Sequence, residues 1–287
     1  MRHRLPLLVS LTVALAACPG PAPAAPEPVA VAAPAVADTA AAARLDAAVE
    51  ALSTAYFRSV PEAATYNGAP EALAPGARSR LNDRSPAGDR ARNAELEAVL
   101  ADLRAIPADA LDAGRRRMQA SLVTVLDGSL APSRVVKYGS SFAPYGLWYT
   151  PYALLQLSGP TVDTPNLLTA QHAVGDAAGA RDYVARLAAF PAVLDGALAK
   201  LQGDVALGAI PPDFLIDKTR AVVDAFAAVP AAEQPLVTSF RTRLATAKVE
   251  GADAFVAQAQ ALVGDGVIPA YRRISAYLAT IRPQAPH

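Results

Sequence analysis

The sequence predicts an all-α fold, an irregular multi-helix array carrying one long aromatic-rich loop. Three observations predict it. From Asp38 onward apolar positions recur at the helical period instead of alternating. Capping residues and prolines divide the chain into pieces of helix length. Alanine, the best helix former, supplies much of the propensity and gives thin helices that pack closely.

The first helix has Asp38 or Thr39 as its N-cap and the stripe Leu45, Val49, Leu52, Tyr56, and ends before Pro61. A polar loop follows from Asn67 to Arg84. Ser85-Pro86 pairs an N-cap with a proline at the first helical position and opens a helix through Ile106, with Leu96, Val99, Leu100 and Leu103 inward. Pro107 breaks it. A third helix is predicted from about Asp109 to Asp127, with Leu111, Met118, Leu122 and Val125 inward. Residues 128–165 lose the helical period and read as a long ordered loop, in which Arg134 to Tyr138 could form a short strand or an extended stretch. Helices resume at Thr164-Pro165, at Asp176 and at Pro191, the last carrying Leu194, Leu198, Leu201 and Val205 and ending at Gly208 and Pro211-Pro212. Two more are centred on Val222 to Val229 and Leu236 to Leu244. The final one begins near Gly266, with Val267, Tyr271, Ile274, Leu278 and Ile281 on one face.

The N-terminus predicts export. Arg2 and Arg4 form a positive n-region and Leu7 to Ala17 an apolar h-region. That run is too short to span a bilayer core, which needs about 20 apolar residues. Leu15-Ala16-Ala17-Cys18 resembles a bacterial lipobox, so residues 1–17 are expected to be a signal peptide and Cys18 the lipidation site. Several acyl chains at ~0.8 kcal/mol per buried CH₂ would make a stable anchor. Residues 18–37 are a Pro/Ala-rich tether that, extended at about 3.1 Å per residue, could hold the body roughly 60 Å from the membrane. Residues 38–287 form the expected helical domain.

Without residues 1–17 the chain has 24 basic and 26 acidic side chains, a formal charge of −2. A nucleic-acid partner is therefore not expected, and Arg115-Arg116-Arg117 reads as a solvated helix face. Cys18 is the only cysteine, so stability must come from buried apolar surface and not from disulfides.

Catalytic signatures are thin. Beyond the signal region the only histidines are His172 and His287, and no His-Glu-x-x-His occurs, so neither a metal site nor a cofactor is expected in this chain. His172, with Asp176 four residues on, reads as a hydrogen-bonded structural histidine. Gly139-Ser140-Ser141-Phe142-Ala143 resembles a nucleophile elbow only weakly, because alanine takes the final glycine position. No catalytic residue is nominated. The positive signal is aromatic: Tyr138, Phe142, Tyr145, Trp148, Tyr149 and Tyr152 are six of the chain's 17 aromatics, gathered in one loop. Such rings bury area and still present a polar tip, which suits a ligand or interface surface as well as it suits a plug between helices.

Several segments resemble the N-terminal half of the DUF885 family, a group of largely secreted bacterial proteins placed among the zincin-like metallopeptidases. They are Phe57-Arg58-Ser59-Val60-Pro61-Glu62-Ala63-Ala64-Thr65-Tyr66-Asn67-Gly68, Leu81-Asn82-Asp83-Arg84-Ser85 and Ala180-Arg181-Asp182-Tyr183-Val184-Ala185-Arg186-Leu187-Ala188-Ala189-Phe190-Pro191. Gly208-Ala209-Ile210-Pro211-Pro212 and Val267-Ile268-Pro269-Ala270-Tyr271-Arg272-Arg273 continue the series. The resemblance implies that the zinc-binding His-Glu-x-x-His segment belongs to a C-terminal catalytic half beyond His287, and that the part present walls one side of a substrate cleft. It also implies a catalytic half or peptide as a partner, while the resemblance to a lipobox implies the membrane as partner through the N-terminal lipid and analogy with other lipoproteins an outer-membrane location facing the periplasm. The alternative is a stand-alone binding or scaffold lipoprotein without catalysis.

Overall fold

The computed structural model describes residues 38–140 and 149–287. Cys18, the tether, Ser141, Phe142, Tyr145 and Trp148 lie outside the described residues.

All regular structure among the described residues is helical: α1 (Thr39–Ser59), α2 (Pro61–Tyr66), α3 (Pro86–Arg104), α4 (Ala113–Val135), α5 (Pro160–Asn166), α6 (Ala177–Ala206), α7 (Asp213–Ala228), α8 (Pro235–Ala247), α9 (Ala252–Leu262) and α10 (Ile268–Ile281). The predicted starts of α1, α3 and α6 are confirmed by their caps. Asp38 accepts a hydrogen bond from the Ala40 N–H, Ser85 from Gly88 and Asp176 from Gly179, each satisfying a backbone donor that the first helical turn leaves open.

Two apolar cores organise the body. Leu45 of α1, Leu96, Leu100 and Leu103 of α3, and Leu126 and Leu130 of α4 fill the first. The second surrounds α6, whose Tyr183, Leu187, Phe190, Leu194 and Leu201 meet Val223 of α7, Phe240 of α8 and the Tyr271, Ile274 and Leu278 face of α10. The predicted stripe of the last helix is fully buried, at 0–2 % exposure for Val267, Tyr271, Ile274, Leu278 and Ile281. Two stacked ring pairs stiffen this core, Tyr183 on Phe240 at 4.1 Å and Phe226 on Tyr271 at 3.9 Å. Each buried phenol also donates to a carbonyl, Tyr183 to Leu236 and Tyr271 to Thr161, both at 2.7 Å.

The structure corrects four expectations. First, α4 runs on to Val135 with Pro132 inside it, so Arg134 and Val135 are helical, no strand forms, and the extended backbone begins only at Val136. Second, Met118 and Val125 of α4 face outward, at 49 % and 62 % exposure, and Gln119, Leu126 and Leu130 face in. The cause is Gln119, whose amide donates to the Leu103 and Ile106 carbonyls at 2.8 Å each. It thereby bonds two carbonyls at the end of α3, of which that of Leu103 also accepts from the Ile106 N–H at 3.4 Å, and turns this face of α4 inward. Third, α5 opens at Pro160 and not at Thr164-Pro165, because Gly159, at φ +100°, donates its N–H to the Asp163 carboxylate at 2.9 Å and starts the turn four residues earlier. Fourth, one 30-residue helix, α6, passes straight through Pro191 where two were expected. Gly266 lies in a wide π-turn, Val263–Val267, that joins α9 to α10. A Cβ on Gly266 would lie 2.9 Å from Pro191 Cγ, so the proline ring occupies the space that this glycine leaves. Helix α9, whose Phe255, Val256, Ala259 and Leu262 pack on the second core, was not anticipated.

Candidate functional site

The root of the aromatic loop sits where α3, the end of α4 and α6 converge. Helices α3 and α6 approach closely because Gly196 has no side chain: a Cβ there would stand 3.1 Å from the Ser85 backbone nitrogen. That approach brings two charged pairs into one place. Arg92 Nη2 donates to Asp89 Oδ1 one turn along α3, and Lys200 Nζ to Asp204 Oδ1 one turn along α6. Asp89, Arg92, Lys200 and Asp204 are all buried.

Both carboxylates also hold the loop. Gly139 donates its N–H to Asp204 Oδ2 at 3.2 Å and Ser140 donates its hydroxyl to Asp89 Oδ1 at 2.9 Å. Across the root, Ser140 and Thr150 exchange two backbone hydrogen bonds, at 2.9 and 2.7 Å, in a single antiparallel bridge. Tyr149 donates its hydroxyl to the Tyr138 carbonyl at 3.0 Å. Gly139, at φ +75°, is required here, since a Cβ would fall 2.5 Å from both the Thr150 carbonyl and the Tyr149 hydroxyl. Burial raises the Asp204 carboxyl above the ordinary range, with Lys200 opposing the shift. Burial, together with Tyr138 and Asp204, pushes the Tyr149 hydroxyl up to about 12, so it remains a neutral donor.

This frame encloses a cleft of about 550 Å³ lined by Asp89, Arg90 and Asn93 from α3, Ser133 and Val136 from α4 and its end, Lys137 to Ser140 and Tyr149 from the loop root, and Lys200, Asp204 and Leu207 from α6 and its end. Of the aromatic residues singled out in the sequence, Tyr138 and Tyr149 line it. Tyr152 does not, and its carbonyl accepts from the Thr150 hydroxyl. The charged lining was missed by sequence reasoning. A signal did exist: Lys200 and Asp204 are spaced i,i+4 among the inward residues Leu198, Leu201 and Val205, an apolar register that a solvated pair would not occupy.

His172 belongs to a different, buried polar node. Arg186, with no exposed surface, donates to the carbonyls of Arg80 and Ala77, to the Thr65 hydroxyl and to His172 Nδ1, at 2.7–3.0 Å. The other imidazole nitrogen donates to the Gly179 carbonyl at 3.0 Å. Burial, with Arg186, Arg243 and Arg78 nearby, lowers the His172 pKa to about 4, so the ring is neutral. Beside this node Arg84 reaches the carboxylates of both Glu62 and Asp163 at 3.6 Å, and Glu62 and Asn82 hydrogen-bond each other's backbone N–H. Burial pushes Asp163 up to about 6.

The zinc implied by the family resemblance can be tested against these donors. Both ring nitrogens of His172 are engaged, and His287 Nδ1 meets only Asp213, at 2.7 Å, on the surface. Among the described residues no three or more His, Cys, Asp or Glu side chains gather where they could hold a metal ion. The residues described do not fit a zinc site. Nor does a histidine line the cleft beside Ser140, whose hydroxyl is committed to Asp89.

All the cleft-lining residues fall within 61–287, the stretch that matches the family described as "Bacterial protein of unknown function (DUF885)". The chain belongs to the DUF885 family. The DUF885 body is also similar in fold to a solved structure described as "The crystal structure of the putative lipoprotein from Colwellia psychrerythraea", with a TM-score of 0.79 at 20 % identity. The match covers 86 % of this chain and 42 % of the solved one, so the DUF885 chain spans less than half of that protein's length. No curated protein matches the chain. Among the described residues no helix is long and apolar enough to cross a membrane.

Proposed function

We propose that this DUF885 protein is exported, held by lipid at Cys18 on the periplasm-facing side of the bacterial outer membrane, and contributes one helical wall of a peptide-binding cleft without catalytic groups of its own. The observation that carries the wall reading is the cleft at the loop root. Its two carboxylates, Asp89 and Asp204, are paired with Arg92 and Lys200 and hold backbone and hydroxyl of the loop in place, and among the described residues no nucleophile, base and orienting group stand together there. Asp89 and Asp204 position the loop, Tyr149 fixes the loop root, and Tyr138 offers a ring at the rim. On this reading, zinc and the attacking water of a peptidase are supplied by sequence outside the positions present here. The anchor is supported by Arg2, Arg4, the apolar run and Leu15-Ala16-Ala17-Cys18, and by the similar fold of the Colwellia psychrerythraea protein, itself described as a "putative lipoprotein".

Peptidase turnover by the purified mature chain, assayed with and without added zinc, tests the wall reading. No hydrolysis above that of a His172→Ala variant is expected, and zinc-dependent turnover lost in that variant would refute it. A second reading, a stand-alone binding lipoprotein, draws on the same cleft. It predicts full-affinity ligand binding with no further segment added.

A further inference from the structure

We infer that the cleft at the loop root is a site for the free C-terminal carboxylate of a short peptide, taken by Arg90 and Lys137 at the mouth, with Asn93 accepting an amide N–H within. The inference rests on the peptide-cleft reading and names the part of the peptide that the site recognises.

Charge comes first. Asp89 and Asp204 already have their cations, Arg92 and Lys200. Arg90 and Lys137 also line the cleft, both exposed, and neither is ion-paired with another described residue. The lining therefore carries three cations, Arg90, Lys137 and Lys200, against two carboxylates, in a chain whose mature form is net acidic. A concave surface with surplus positive charge concentrates an anion.

A bare anion does not account for the interior. Asn93, partly exposed, lines the cleft, and its Oδ1, which has no hydrogen-bond donor, is closed to solvent in this structure, so a ligand N–H reaches it only once the amide turns toward the cleft. A buried acceptor left unmatched costs about 1–3 kcal/mol, so a ligand that brings an N–H is favoured. Asp89 and Asp204 disfavour a compact polyanion such as phosphate and tolerate a molecule that carries one negative end and neutral N–H groups behind it. A peptide terminus has that sequence of groups: carboxylate, then side chain, then amide N–H. Tyr138, Tyr149 and Val136 supply apolar and ring surface for the terminal side chain. The volume, about 550 Å³, falls within the roughly 300–1,000 Å³ of small-ligand pockets.

Calorimetric titration of the purified full chain with trialanine, its C-terminal amide and inorganic phosphate tests the inference. Trialanine is expected to bind, with the amide at least tenfold weaker and phosphate unable to compete. The double variant Arg90→Ala, Lys137→Ala, made at exposed positions, should lose at least tenfold for trialanine and leave the amide unchanged, with an unaltered helical circular dichroism spectrum. Equal binding of acid and amide, an unaffected double variant, or displacement by phosphate would each overturn the carboxylate site while the peptide-cleft reading stands. No binding of either peptide overturns the inference too, and leaves the wall reading to the turnover assay.

Discussion

Asp163→Asn should change how stability depends on pH in a direction opposite to ordinary acid denaturation. Asp163 is 6 % exposed, and burial raises its pKa from 3.8 to about 6 in spite of Arg84 and the Gly159 N–H. Between those values the folded state holds the proton more tightly than the unfolded state, so this group's contribution to stability rises as pH falls through about 6. At ~1.36 kcal/mol per unit, the wild type should gain roughly 2–3 kcal/mol relative to Asp163→Asn on going from about pH 7 to about pH 4. His172 works against it. Its pKa is lowered from 6.5 to about 4, so its contribution is complete above 6.5 and is lost, by about 3 kcal/mol, as pH falls toward 4. In the wild type the two largely offset each other. In Asp163→Asn the loss from His172 is uncovered, while Glu62 still faces Arg84. Urea unfolding of both proteins across this range measures the difference directly, and every surface carboxylate cancels from it. A wild type and variant whose stabilities run parallel with pH, or a variant that gains relative to wild type in acid, would refute the burial argument.

Arg186→Met removes four hydrogen bonds from the Arg80, Ala77, Thr65 and His172 cluster and leaves their acceptors buried, so urea unfolding should show a loss of at least about 3 kcal/mol. Leu187→Ala, at a fully buried position facing the second core, should cost about 2–5 kcal/mol in the same experiment. Gly139→Ala forces a Cβ into the Thr150 carbonyl and the Tyr149 hydroxyl. It should therefore weaken trialanine binding in calorimetry, while the urea midpoint moves much less than for Leu187→Ala. Cys18→Ala should abolish incorporation of a labelled fatty acid and move the protein from the membrane to the soluble fraction; unchanged fractionation would contradict the anchor.

Much of the fold was legible because burial and helical period coincide in this chain. The stripe from Val267 to Ile281 and the caps at Asp38, Ser85 and Asp176 are local signals, and each survived assembly. The misreadings were tertiary. Pro191 and Pro132 look like breaks, yet packing tolerates both inside helices, Pro191 because Gly266 makes room for its ring. Gln119 outranked Met118 and Val125 for the inward face because its amide bonds two carbonyls at the end of α3, a contact that no hydropathy pattern records. Helix α9 carries a short stripe, Phe255, Val256, Ala259 and Leu262, that went unread among its alanines. In the candidate site, the aromatic cluster pointed to the right loop, and Tyr138 and Tyr149 do line the cleft. Asp89, Arg90, Asn93, Lys200 and Asp204 went unseen because α3 and α6 meet across about a hundred residues of sequence, through the gap left by Gly196.

Zinc stoichiometry of the purified mature chain, by equilibrium dialysis at neutral pH with elemental analysis, tests the central claim most directly. With His172 held on both nitrogens and His287 beside a lone carboxylate, the account predicts no tightly bound zinc and no chelator-sensitive peptide hydrolysis. One zinc per chain, retained through dialysis and required for turnover, would contradict it.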